Sequence, residues 1–340
     1  MKIKSEELLS VILNVSKVNK NSIALESIEG SYARLQATSS EAYITQYVNI
    51  HPDEELIVGI PVSIIPVLSE IKNKMVDIDF IDNRCTISWN NSNINLNLPH
   101  FNVEELVRDN YTPSFTNKLP RLSNMRYACG NEKDTMDVFF FVGNGIVTGD
   151  KFRFCVYKPL PSLLLDGVVI SEKALQYLPS DITPSIDQNS NRVYLGDEKC
   201  IISVPTIEKP IPAALYSLFE HNIDRTKYIA LSAKDLIPMT NIAHTLSKKD
   251  DGYGFISLIM SNGNLSIVPG GNSYGNGVLM LESTEYLGEF DLKVNPGYFA
   301  SAIKECKSAQ VVLGVSEFAK TTLLYIYDNE LTHYILPMYG

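Results

Sequence analysis

The sequence predicts an α+β fold made of three repeated domains, each with two helices packed on antiparallel sheets. Three recurrences support this, visible in pattern more than in identity. A helix-like segment opens each unit, a strand runs straight into a second short helix midway, and an apolar strand closes each unit at Pro99, Pro205 and Pro337. The closing prolines lie about 106 and 132 residues apart, so a unit is about 110 residues, an ordinary domain size. The expected domains are residues 1–110, 111–225 and 226–340.

The opening helices are expected at residues 5–18, 120–129 and 232–246. In the first, Leu8, Leu9, Ile12 and Val15 share one helical face, and Ser5 and Ser232 are expected N-caps. Strand-like runs follow at residues 31–50, 136–157 and 254–271, with turns at Gly143-Asn144-Gly145 and Asn262-Gly263-Asn264. The second helices follow Ile60, Ile170 and Val294, starting at Pro61, at Ser171 and at Asn295 with Pro296. Proline suits a first helical turn, where its missing N–H would have no intrahelical partner. Residues 100–118 and 206–226, richer in proline and polar side chains, are the expected linkers.

Composition excludes several classes. The chain is 45% hydrophobic and 20% charged, and no apolar run approaches the roughly 20 residues of a membrane span. Residues 1–15 interleave apolar positions with Glu6, Glu7, Ser10 and Asn14, which fits an amphipathic helix and not a signal peptide. Cys85, Cys129, Cys155, Cys200 and Cys306 are odd in number and widely spread, so buried reduced thiols in a cytoplasmic protein are expected. No local His or Cys cluster suggests a metal, and no motif calls for a cofactor. A formal charge of −10 argues against coating nucleic acid with the whole surface, but allows one basic face.

Three copies of this order resemble the bacterial-type DNA polymerase sliding clamp, the replicase β subunit, over the whole chain. Tyr334-Ile335-Leu336-Pro337-Met338-Tyr339 is similar to that family's closing apolar–apolar–Met-Pro-Met-Arg strand, with Leu336 in place of the first Met. Tyr286-Leu287-Gly288 followed by Val294-Asn295-Pro296-Gly297-Tyr298 resembles its Tyr-x-Gly … Phe-Asn-x-x-Tyr pattern. Thr148-Gly149-Asp150-Lys151-Phe152-Arg153-Phe154 resembles Thr-Asp-Gly-His-Arg-Leu, with the Asp and Gly order changed and one extra residue. The missing His and the shorter chain mark a divergent member, of bacterial or phage origin.

The resemblance implies a homodimer whose six domains close head to tail into a ring, the DNA clamp fold. Such a ring encircles duplex DNA without sequence preference and acts in DNA replication as a processivity factor, with no catalysis of its own. Basic residues on or beside the helix segments would then face phosphates: Lys17, Lys20, Lys72, Lys74, Arg121, Arg126, Lys173, Lys234, Lys248, Lys304 and Lys307. Partners, namely the DNA polymerase and the clamp loader, would dock by an apolar peptide in a cleft. Carried over by position, the cleft takes Val142, Thr148, Arg153, Phe154, Pro212, Tyr216 and Ser217. It also takes Asn295, Tyr298, Thr321, Leu323, Tyr334, Ile335, Leu336, Pro337 and Met338. Phe101 and Leu246 are the expected apolar contacts between the two chains.

Two rival classes explain less of the sequence. An enzyme would need more than Asp150 near Lys151 and Arg153, and no Walker loop, nucleophile elbow or paired-carboxylate signature accompanies them. A structural or carbohydrate-binding β-rich protein, such as a phage particle component, explains the strands and the Asn-rich stretch 89–97. It does not explain three helix pairs at matching places.

Overall fold

The computed structural model describes residues 1–21, 23–28, 32–50, 56–99, 111–130, 137–158, 165–179, 182–249, 252–270 and 277–338. The chain divides into two units. One holds Met1–Pro120 and Lys173–Ile207, and the other holds Arg121–Glu172 and Glu208–Gly340.

The first unit is organised by an eight-stranded antiparallel sheet. Its order is Ile57–Gly59, Ile23–Ile28, Tyr32–Thr38, Tyr43–Val48, Cys200–Pro205, Arg192–Gly196, Ser185–Asn189 and Asn117–Lys118. Residues 43–48 thus bond directly to residues 200–203, with Ile44 opposite Ile202. A separate four-stranded sheet runs Lys2–Lys4, Met75–Ile81, Arg84–Trp89, Ser92–Asn97. Val76 and Ile78 face inward from it, two residues apart as a pleat requires. Helices α1 (Ser5–Val15) and α2 (Ile64–Glu70) pack on one another. Leu8, Val11, Ile12 and Val15 form the buried stripe of α1, each contributing about 1.5–3 kcal/mol by leaving water. Ser5 is not the N-cap. Lys4 holds that place, and Ser5, buried in the first turn, donates its hydroxyl to the Ile71 carbonyl at 2.8 Å, tying α1 to the end of α2.

The second unit carries a nine-stranded antiparallel sheet. In order these are Val169–Ser171, Val138–Val142, Gly145–Gly149, Arg153–Tyr157, Leu331–Ile335, Thr321–Tyr327, Gln310–Phe318, Tyr228–Ser232 and Glu285–Leu287. A four-stranded sheet runs Leu279–Glu282, Asn264–Gly270, Phe255–Ser261, Phe290–Val294. Its central hairpin turns on Asn262 (φ 51°) and Gly263 (φ 75°), the pair of left-handed residues that a tight two-residue connection needs. Helices α3 (Ala213–Glu220), α4 (Ala233–Leu246) and α5 (Pro296–Glu305) belong here. α4 and α5 pack together over a core of Leu236, Ala243, Phe299, Ala302 and Ile303.

Three expectations about helices change. Residues 120–129 form no α-helix but the 3-10 segment Leu122–Ala128, with Leu122, Met125 and Ala128 buried. That stripe has a period of three, which suits a 3-10 helix and leaves an α-helix without a continuous face. The second helix of the middle repeat is likewise the short 3-10 segment Glu172–Gln176. The expected linker 206–226 contains α3, whose Leu215, Leu218 and Phe219 are buried at i, i+3, i+4 spacing.

Candidate functional site

The site in the second unit is built on the turn between strands Gly145–Gly149 and Arg153–Tyr157. One carboxylate oxygen of Asp150 accepts the backbone N–H groups of Phe152 (2.8 Å) and Arg153 (3.0 Å). The other accepts from Arg153 Nε at 3.0 Å. So fastened, the turn holds Phe152 out in solvent, 54% exposed, with its ring stacked on Tyr298 at 6.4 Å between centroids. The Arg153 guanidinium lies over the rings of Tyr298 (4.5 Å) and Tyr127 (5.5 Å). The Phe152 carbonyl accepts the Leu336 N–H at 2.8 Å, which fixes the chain beyond the last strand against this turn.

On one side of the turn is an apolar groove of about 460 Å³. Phe154 comes from the strand, Pro212, Leu215 and Leu218 from α3 and the residue before it, Thr321 and Leu323 from the neighbouring strand, and Leu336 from the C-terminal segment. Phe318, Asp150 and Lys151 also line the groove. On the other side are two further depressions. The smaller, about 280 Å³, is lined by Cys129, Gly130, the 150–153 turn and Tyr298. The larger, about 490 Å³, lies along α4 and α5, where Asn241, His244, Asn295, Ser301 and Lys304 meet Arg153 and Tyr298. Adjacent depressions share residues: Asp150 and Lys151 on one side, Arg153 and Tyr298 on the other. The three adjoin through these shared residues, and the run of depressions is referred to as the trough. Burial first, and then Lys248, hold His244 below its ordinary value.

Of the expected cleft residues, Phe154, Pro212, Thr321, Leu323 and Leu336 line the apolar groove, and Arg153, Asn295 and Tyr298 line the larger depression beside it. Asn295 caps α5, accepting the Gly297 and Tyr298 N–H groups at 2.9 and 3.1 Å, and so positions the Tyr298 backbone. Val142, Thr148, Tyr334 and Ile335 are buried beneath the trough and present no open side-chain surface. Thr148 donates to the Val138 carbonyl at 2.8 Å. Tyr216, Ser217, Pro337 and Met338 are not among the lining residues; the Met338 N–H donates to the Lys293 carbonyl at 2.7 Å. Leu215, Leu218, Phe318, Lys151 and Phe152 were not anticipated. The spacing within Ala-Ala-Leu-Tyr-Ser-Leu-Phe-Glu, residues 213–220, was the available signal for the first two.

The basic residues separate into two kinds. Lys17, Lys20, Lys72, Lys74, Lys234, Lys248, Lys304 and Lys307 are exposed, and Lys173 is half-buried. Lys234, Asn241 and Lys248 recur every seven residues along the exposed side of α4 and just past its end. Arg126 is exposed but bonds Glu172 at 2.8 Å. Arg121 is a correction to the phosphate-facing set. It is buried, its guanidinium bonds the fully buried Asp328 at 2.8 Å and the Glu305 carbonyl at 2.8 Å, and its Nε reaches Asn124 at 3.1 Å. A guanidinium so engaged cannot also reach a phosphate.

Leu246 is half-buried, whereas Phe101 lies outside the described residues. All five cysteines are free and buried, and burial pushes the thiols of Cys85, Cys129 and Cys306 up to about 12. Among the described residues no group of His, Cys, Asp and Glu is placed to hold a metal, and no helix is long and apolar enough to cross a membrane.

No protein-family profile matches the chain, and no curated protein is recognisably similar to it in sequence. Solved structures are similar along the full length. The DNA polymerase III subunit beta from Pseudomonas aeruginosa is 15% identical, with 100% of each chain covered and a TM-score of 0.76. The beta subunit from DNA polymerase of Streptococcus pyogenes is 14% identical over 100% of this chain and 99% of that one, at a TM-score of 0.79. A Helicobacter pylori beta clamp bound to a DNA ligase peptide is 15% identical over the same shares, at 0.78. The chain has the fold of the bacterial sliding clamps, from its first residues to its last.

Proposed function

We propose that this protein is a DNA polymerase processivity factor: two copies form a ring around duplex DNA and hold partner proteins by peptides lying in the trough. The observation that carries this reading is the fold itself, at TM-scores of 0.76–0.79 over essentially the whole of both chains. The protein acts by encirclement and tethering, with no reaction of its own. The partners are the polymerase and the loader that opens the ring. Exposed lysines of the helix segments face the phosphates, without reading bases. At the level of the repeat, the ring is counted as six domains, divided in each chain near residues 110 and 225.

The sheet edges support ring closure between copies. The strand Ser92–Asn97 forms one edge of its four-stranded sheet and carries no charged residue and no proline. The opposite edge, Lys2–Lys4, is short and guarded by two lysines. In the other four-stranded sheet the edge Phe290–Val294 carries Asp291 and Lys293, while the edge Leu279–Glu282 has a charge only at its end, Glu282, and shows an exposed Met280 beside an exposed Val278. Unguarded edges pair with another chain. We therefore read Ser92–Asn97 of one copy as meeting Leu279–Glu282 of the next, with α4, which ends at Leu246, packed under the latter.

Light scattering at micromolar concentration tests this first: the expected mass is that of two chains, and negative-stain images should show rings. A stable monomer or trimer would falsify the dimeric ring. Loaded protein should be retained on closed circular DNA and lost when the circle is linearised. Retention unaffected by linearisation would exclude encirclement.

A further inference from the structure

We propose that the peptide held in the trough carries a carboxylate side chain beside its apolar anchors, and that Arg153 and Lys304 select it. The inference rests on reading the groove as a peptide site, and it adds the chemistry of the occupant. The apolar groove accounts for the anchors: Phe154, Leu215, Leu218, Leu323 and Leu336 can enclose bulky aliphatic or aromatic side chains. The adjoining depressions differ from it in carrying charged and amide side chains. Arg153 and Lys304 line them, and the acid among the described lining residues is Asp150, whose two oxygens already serve the turn amides and Arg153 Nε. In a chain of formal charge −10, the cations outnumber the acid among the described residues lining this end.

Arg153 is also held in place before any ligand arrives. Its Nε is tied to Asp150 and its plane packs over Tyr298 and Tyr127, while its terminal amino groups donate to no described residue. A guanidinium fixed in this way loses little freedom on meeting a carboxylate, whose two oxygens fit its fork. Asn241, Asn295 and Ser301 could serve a neutral amide equally well, so charge alone separates a glutamate from a glutamine here. A nucleic-acid phosphate would satisfy the same cations. The apolar groove adjoining through Asp150 and Lys151 favours a peptide.

Fluorescence anisotropy on the intact protein decides the matter, with three labelled probes: Glu-Ser-Leu-Leu-Phe, Gln-Ser-Leu-Leu-Phe and Lys-Ser-Leu-Leu-Phe. The glutamate probe should bind about three- to fivefold more tightly than the glutamine probe, as a partly exposed ion pair allows, and the lysine probe most weakly. The margin should shrink as salt rises from about 0.05 to about 0.5 M. Lys304→Glu should abolish or reverse the preference, and Lys304→Met should reduce it. Both variants leave the fold intact, because Lys304 is exposed. Equal binding of all three probes, or a glutamate preference unchanged in Lys304→Glu, overturns the inference and leaves the groove reading standing. Binding of none overturns the groove reading with it. If a short oligodeoxythymidine displaces the glutamate probe through Lys304 and binds more tightly than it does, the end at Lys304 serves nucleic acid and the inference falls.

Discussion

The helix segments expected for the middle and last repeats are held in opposite ways. At the places where the last repeat has α4 and α5, of 14 and 10 residues, the middle repeat has 3-10 segments of 7 and 5. α4 and α5 bury broad apolar faces, and α5 is capped by Asn295 with Pro296 in its first turn. The segment Leu122–Ala128 is too short to stabilise itself and is held by its side chains. Arg121 beside it reaches Asp328 and Glu305, Asn124 bonds the Glu305 carboxylate at 2.6 Å, and Tyr127 bonds His333 at 2.6 Å. The cations follow the same division. Around Leu122–Ala128 they are arginines in ion pairs; along α4 and α5 they are exposed lysines. A helix that folds by its own amphipathic face leaves its cations to the solvent, whereas a turn fixed from outside requires them for structure.

The largest effect expected from this contrast is at Arg121. Removing one partner of a buried pair leaves the other charge uncompensated, so Arg121→Met should lower stability by about 3–5 kcal/mol. Arg121→Lys should fall between that variant and wild type, because an ammonium keeps the charge but loses the planar fork. Urea titration measures both. A loss below about 1 kcal/mol in Arg121→Met would mean that the 3-10 segment stands without its anchor.

Next in size is an acid sensitivity at the same anchor. His333 is completely buried, with Nδ1 on Tyr127 and Nε2 without a partner among the described residues. Burial, aided by Arg121 and opposed by Asp328, lowers its pKa from 6.5 to about 4. Between those values the unfolded chain binds a proton that the native one refuses, so stability falls as pH drops through that window. The loss is on the order of 3 kcal/mol once pH reaches the lower value. His333→Gln should flatten this limb even if its stability near neutrality is lower. An unchanged acid limb in that variant would place the sensitivity elsewhere.

These anchors also show where the sequence was legible. The faces of α1 and α4, the Asn295-Pro296 start of α5 and the Asn262-Gly263 turn rest on neighbours within a few residues, so local pattern suffices to find them. Leu122, Met125 and Ala128 were readable as a period of three, but the wider expectation of matched helices in every repeat obscured it. Nothing near Arg121 in sequence announces Asp328, 207 residues away, so a buried arginine and a solvent-facing one looked the same. For the groove, the resemblance located Phe154, Leu323 and Leu336, while Leu215 and Leu218 were hidden because a proline-rich linker was not expected to hold a helix. The same blindness to distant partners explains why residues 43–48 and 200–203 were not foreseen as neighbours in one sheet.

On the lysine side of the contrast, Lys234→Glu with Lys248→Glu should leave thermal stability within about 0.5 kcal/mol, since both residues are exposed. If they face phosphates, association with duplex DNA should weaken about tenfold and the slope of log affinity against log salt should fall by about 2. Unchanged salt dependence would remove this stripe from the DNA-facing set. A marked loss of stability would blur the distinction between the two kinds of cation.

The smallest effect, and the sharpest test of the division, is at Arg126. Its ion pair with Glu172 is partly exposed, at 39% and 19% for the two side chains, so Arg126→Gln should change stability by less than about 1 kcal/mol. Its effect on DNA is harder to interpret alone, because removing the arginine also leaves the carboxylate of Glu172 to repel phosphates. The informative variant is Arg126→Gln with Glu172→Gln, which deletes the pair while keeping the local net charge. If Arg126 is occupied by Glu172, as the geometry has it, the double variant should match wild type in both DNA affinity and salt slope, and the single variant should be slightly weaker than either. If Arg126 instead leaves Glu172 to meet a phosphate, the double variant loses that contact and its salt slope falls by about 1. That result would move Arg126 into the company of the lysines and confine the structural role of the middle-repeat cations to Arg121.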